Sequence, residues 1–228
     1  MLLPLKRTSD QAVGRKQQLI FLHIPKCGGT FVQKTFAPFS SQCPLIVWKE
    51  ARGHRTYQDY KRVFDQRNDD VHDYFIMTVV RNPWAWHVSW FNYIRAPGGG
   101  RLSGLKIEHK QFRKMSFSDY LKWLDDDTVK QTAPGMVKMQ QSDWICDEQG
   151  NVRADAILRQ ENLLSDVSNL ISKLGIDLQP KPCRLNVSTI DDYRKYYDSK
   201  GIEQIAQRHQ RDLELFGYQF ETPHKAVA

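Results

Sequence analysis

Six consecutive residues, Pro25-Lys26-Cys27-Gly28-Gly29-Thr30, bring together a cation, a thiol, a hydroxyl and two glycines. Glycines let the backbone turn tightly, so that successive N–H groups point at one anion, while lysine and threonine add side-chain donors. The chemistry this implies is the binding of a phosphate-like group. In the phosphate loop of nucleotide hydrolases, G-x-x-x-x-G-K-[ST], the lysine follows the glycines. Here Lys26 precedes them, and neither Gly-Lys-Ser nor Gly-Lys-Thr occurs anywhere in the chain. The bound group is therefore expected to differ from the triphosphate of ATP or GTP.

A second anion site is suggested by Arg81 and Ser89. Arginine offers a bidentate fork to phosphate and serine adds a hydroxyl donor. Ser89 lies six residues beyond Pro83, about 9 Å along a helix axis, an offset an arginine side chain can span to share one phosphate. For a general base the chain offers His23, His54, His72, His87, His109, His209 and His224. His54 stands out, in a Gly53-His54 turn between the apolar run Leu45–Trp48 and an amphipathic segment starting near Thr56. An imidazole with an ordinary pKa of about 6.5 suits proton abstraction at neutral pH. A surface or substrate-binding role for His54 stays open, and Glu50 is the alternative base. His23 reads as a packed spacer and His87 as structural. Cys27 at a helix start has the setting of a reactive thiol, but reads better as a small residue lending its N–H.

These residues need particular elements to hold them. Leu19-Ile20-Phe21-Leu22 reads as a strand leading into the glycine turn and a helix start, the arrangement that gathers N–H groups on an anion. Phe75–Val80 is an uninterrupted β-prone run, as expected of a strand covered on both faces. Asn82 is a good N-cap and Pro83 suits the first helical position. The helix that follows carries Trp84, Val88 and Phe91 on one stripe and Trp86, Trp90 and Tyr93 on another, so it should be largely buried. Arg81 falls at the carboxyl end of its strand, where open α/β sheets place ligands. Ser116-x-x-Asp119 opens a short helix as a capping box. The fold class expected is α/β, a single domain with a mainly parallel sheet flanked by helices.

With those motifs in place, His23-Ile24-Pro25-Lys26-Cys27-Gly28-Gly29-Thr30 closely resembles the 5′-phosphosulfate loop of sulfotransferases that use 3′-phosphoadenosine 5′-phosphosulfate (PAPS), the carbohydrate-type branch in particular. Arg81-Asn82-Pro83 with Ser89 resembles the family's 3′-phosphate motif. The resemblance extends from about Leu19 to Phe220: Ala154–Leu163 is similar to a later core strand, and Tyr193–Tyr218 to a closing helix. It implies transfer of a sulfuryl group from PAPS to an acceptor hydroxyl of a carbohydrate or small polar metabolite, with 3′,5′-ADP (PAP) as product and no metal. Lys26 and His54 would be catalytic. Lys26, Cys27, Gly28, Gly29, Thr30, Arg81 and Ser89 would hold the donor, with Asn186 and Ser188 in a loop closing over it. Trp48, Arg52, Arg55 and Gln141 would meet the acceptor, and the glycine-rich stretch Ala96–Gly104 could act as a lid.

The bulk properties fit one domain. A chain of 228 residues with 40% hydrophobic content supports a single core, and halving it would leave each part short of one. The expected layout is an arm over 1–18, a domain over 19–220 and a tail over 221–228. No apolar stretch approaches the ~18 residues a membrane span needs, and the basic start has no signal-peptide core. Animal members of the branch usually carry a membrane anchor, so the expectation is a bacterial-type cytoplasmic enzyme or an excised catalytic domain. Cys27, Cys43, Cys146 and Cys183 match no metal or redox spacing. A net charge of +7 fits a solvated basic surface or focusing toward an anionic donor. No dense basic run or basic–aromatic repeat points to nucleic acid. The competing readings are an ATP-dependent phosphotransferase, which lacks its lysine here, and a non-catalytic nucleotide- or nucleic-acid-binding module.

Overall fold

A strand ladder and two capped helices explain how the sequence organises its first part. In a computed structural model, residues 18–38, 53–96, 113–126, 135–180 and 192–220 are described. Strands β1 (Leu19–Leu22), β2 (Phe75–Val80) and β3 (Ala156–Arg159) form a parallel sheet in the order β1-β2-β3. Leu19 pairs with Phe75 and Val80 with Arg159 at the two limits of the register. β1 and β2 are buried throughout, as their unbroken apolar runs require, whereas β3 alternates buried and half-buried residues. The chain is α/β, with helices flanking a parallel sheet, as its sequence predicts.

The described residues group into two compact units. The first runs to Arg81 and resumes at Gln141. It contains the sheet and the helices α1 (Gly29–Phe36) and α2 (Tyr57–Gln66). Thr56 caps α2 in a capping box with Asp59, fixing the chain that leaves His54. After β3, the helix here numbered α6 (Leu163–Lys173) buries Val167, Leu170 and Ile171. Its end is set by Gly175, which adopts the left-handed φ of 64° that ends many helices.

The second unit starts at Asn82, whose side chain accepts from the N–H groups of Trp84 and Ala85 and so opens α3 (Pro83–Arg95). Every α3 residue from Pro83 to Phe91 is buried, matching the two apolar stripes in the sequence. Ser116 caps α4 (Phe117–Asp125), and α5 (Gly135–Lys138) is a single turn. The expected continuous closing helix is not found. Tyr193–Tyr196 is a 3₁₀ turn, followed by α7 (Ser199–Arg208) and α8 (Gln210–Phe216). Asp198 starts α7 as its N-cap, so the helix cannot reach back to Tyr193. The second break falls at His209, which takes φ −110° and ψ 24° between the two helices and whose ring meets two buried groups. Its Nδ1 lies 2.8 Å from Asp212, and its Nε2 lies 2.7 Å from His87 Nε2. His87 Nδ1 in turn lies 2.9 Å from the Tyr120 hydroxyl. With both imidazoles neutral, protons arranged Tyr120→His87→His209→Asp212 satisfy the whole chain. His87 is thus structural, and burial first, then His209 and Arg208, pushes it well below its ordinary pKa.

Candidate functional site

The phosphate-loop residues and the candidate base lie together in the first unit. β1 ends where the Thr78 hydroxyl of β2 donates to the Leu22 carbonyl, at 2.9 Å. The chain then turns through Lys26, which takes a left-handed φ of 63°, and Gly28, at 83°. A non-glycine residue in that region stores strain, and such strain clusters at ligand sites. No side chain caps α1, and its first turn carries no acidic residue. Its leading N–H groups and the positive end of its dipole are therefore available to an anion.

Gly28 is favoured by its left-handed φ of 83° and Gly29 by lack of space. A Cβ on Gly28 would lie 2.5 Å from Leu163 Cδ2, and one on Gly29 would lie 1.9 Å from His23 Nε2. The His23 ring therefore rests directly on the start of α1. It stacks on Phe21, with centroids 5.3 Å apart, and meets His54 at 4.2 Å. Burial, then the neighbouring His54, holds His23 neutral with a pKa lowered to about 3. The sequence suggested a spacer here; the glycine pair that begins three residues after Pro25 was the available sign that something packs against it.

His54 is half-buried, with Nδ1 2.9 Å from the His23 carbonyl oxygen. A carbonyl can only accept, so Nδ1 carries the proton and Nε2 presents a lone pair. Burial lowers the His54 pKa, the carbonyl contact raises it, and the Lys26 charge lowers it again. The indole of Trp144, buried and missed by sequence reasoning, meets the His54 ring edge-on at 6.3 Å. Arg55 is exposed next to His54. Lys26 is lowered to about 8, by burial first, then by the nearby Arg81 charge, with Cys27 opposing.

Arg81 follows β2, and its Nη1 donates to the Lys26 carbonyl at 3.1 Å. Ser89 is buried on α3 in the second unit. Cys27 is a buried thiol. Gln141 is 0% exposed, and its amide holds protein groups. Its Oε1 accepts from Arg81 N–H at 2.8 Å and from the Cys27 thiol at 3.5 Å, while Nε2 donates to the Arg81 carbonyl at 2.7 Å. Trp48, Glu50, Arg52, Asn186, Ser188 and the glycine-rich residues 97–104 lie outside the described residues. Among the described residues no His/Cys/Asp/Glu group could hold a metal, and no helix is long and apolar enough to cross a membrane.

A strand–loop–helix start carrying a lysine, with a half-buried imidazole held through Nδ1 in the same unit, could bind an anion and take up a proton. The sequence matches the sulfotransferase family over residues 10–219, and the chain belongs to that family. None of the curated proteins matches it in sequence. Among solved structures it is similar to mouse sulfotransferase SULT7A1 complexed with PAP, at 15% identity, covering 94% of this chain and 96% of that one, with a TM-score of 0.49.

Proposed function

We propose that this sulfotransferase uses PAPS as donor and delivers the sulfuryl group to a hydroxyl of a carbohydrate or a small polar metabolite, without a metal. The observation that carries the reading is the His54 Nδ1–His23 carbonyl contact, 2.9 Å long, beside the Lys26 loop. It leaves Nε2 unprotonated, which is what deprotonating an acceptor requires. When bound, PAPS supplies an electrophilic sulfur on a phosphate leaving group.

The residues divide the work by chemistry. The N–H groups of Cys27, Gly28, Gly29 and Thr30, with the Thr30 hydroxyl, hold the 5′-phosphate. Lys26 neutralises charge growing on the bridging oxygen, and positioning with electrostatics does most of the rest. The lowered Lys26 pKa fits the donor: a buried cation beside Arg81 gains most when a polyanion arrives. Arg81 contacts the 3′-phosphate, and His54 takes the acceptor proton.

Calorimetry with 3′,5′-ADP and 5′-AMP tests the donor assignment. A charge-assisted hydrogen bond contributes roughly 1.5–3 kcal/mol, so 3′,5′-ADP should bind about tenfold to a hundredfold more tightly. Equal affinities would overturn the reading. A strict Mg²⁺ requirement for turnover would favour phosphotransfer instead.

A further inference from the structure

We infer that Gln141 is a positioning residue that couples the 5′-phosphate loop to Arg81 and so sets recognition of the donor's 3′-phosphate. The inference rests on the PAPS reading above and adds to it a residue that touches neither donor nor acceptor.

The sheet explains why such a residue is needed. β1 pairs with β2 only as far as Leu22 opposite Thr78, and β3 only as far as Arg159 opposite Val80. Arg81 is the first residue beyond the ladder. There the Gln141 carboxamide pairs with its backbone. It accepts from Arg81 N–H and donates to Arg81 C=O, the same two-way pairing a neighbouring peptide would provide.

The same oxygen receives the Cys27 thiol, and the Arg81 guanidinium donates to the Lys26 carbonyl. Lys26 and Cys27 are adjacent, so the contacts close a ring: Gln141, Cys27, Lys26, Arg81 and back to Gln141. Loop and arginine cannot shift independently without breaking a member of this ring. Gln141 is itself fixed, because it caps the 3₁₀ turn Ser142–Trp144 and its carbonyl accepts from Trp144 N–H at 3.2 Å. That turn also supplies the indole that meets His54.

The amide is specific in a way neither an acid nor an apolar isostere can copy. Glutamate keeps the acceptor for Arg81 N–H but sets a second oxygen against the Arg81 carbonyl. Methionine keeps the length and removes all three hydrogen bonds.

The test measures 3′,5′-ADP and 5′-AMP binding by calorimetry for wild type, Gln141→Met, Gln141→Glu, Arg81→Ala and Gln141→Met/Arg81→Ala. Loss of precise placement costs up to about a hundredfold, so both single Gln141 variants should lose most of the preference for 3′,5′-ADP while keeping 5′-AMP binding. In the Arg81→Ala background Gln141→Met should change the ratio no further. A wild-type protein without the preference would sink the PAPS reading itself. A wild-type preference that Gln141→Met and Gln141→Glu both retain would overturn the Gln141 inference alone. So would equal ratio losses with and without Arg81, or failure of both variants to fold, since either makes Gln141 a general stabiliser.

Discussion

Gly29→Ala is the most demanding test of how the loop and the candidate base are joined. The Gly29 backbone is not in the left-handed region, so alanine meets no conformational penalty there and gains up to about 1 kcal/mol in helix propensity. Against that stands the His23 ring: the new Cβ would lie 1.9, 2.1 and 2.6 Å from three of its atoms. Ordinary contact begins near 3.4 Å, so the ring must retreat by about 1.5 Å, and Phe21 and His54 close off two directions. Overpacking of this kind costs about 1–3 kcal/mol. The net loss of stability then lies between about zero and about 3 kcal/mol, a range too wide to be decisive alone. Turnover is the sharper readout. His54 hangs from the His23 carbonyl, and a displacement of about 1 Å at a catalytic group can cost a hundredfold. Gly29→Ala should therefore lower kcat by about that factor, measured as sulfate transferred with a saturating donor. Gly175→Ala is the control, with φ at 64° and nothing within 4 Å of its Cβ; it should carry backbone strain of about 1–2 kcal/mol and leave kcat alone. Adding His23→Ala to Gly29→Ala removes the clash and keeps the carbonyl, so most of the lost turnover should return. If Gly29→Ala turns over like wild type, or His23→Ala deepens the defect instead of relieving it, the steric link is refuted.

Four further outcomes follow from titration and burial. Lys26 must be charged to act, and its pKa is lowered to about 8, so kcat/KM for the donor should fall above about pH 8; a profile flat to pH 10 would count against it. His54 must be neutral, and its pKa lies below 6.5, so the acid limb of kcat should sit below that value and vanish in His54→Ala, with about a 10²–10⁴-fold loss of rate. His23 has a folded-state pKa lowered from 6.5 to about 3, so the unfolded chain takes up the proton first. Its contribution to stability is complete above about pH 6.5 and is lost as pH falls toward 3; urea melts across that window should show a shallower decline for His23→Phe. Asp212→Ala leaves the fully buried His209 Nδ1–H without its 2.8 Å acceptor, which should cost about 1–3 kcal/mol by thermal melting.

What the sequence disclosed is what depends on near neighbours. The Lys26–Thr30 loop was visible because a cation and a glycine pair have no ordinary reason to interrupt a strand–helix junction. α3 was visible because Asn82 and Pro83 are a start signal written in two residues, and both come true. His54 was found from its place after an apolar run, yet its tautomer depends on a carbonyl 31 residues away. The role of Gln141 depends on partners 60 and 114 residues distant, and no local pattern marks a side chain that pairs with a distant backbone. The closing helix failed for the same reason. Its apolar spacing runs unbroken through His209, where the helix breaks and the ring pairs with His87, 122 residues away. The residues proposed to bind the donor are thus legible because loop chemistry is local. Those that hold the binders in place are not, because their roles exist only once the chain has brought distant backbone groups within hydrogen-bonding distance.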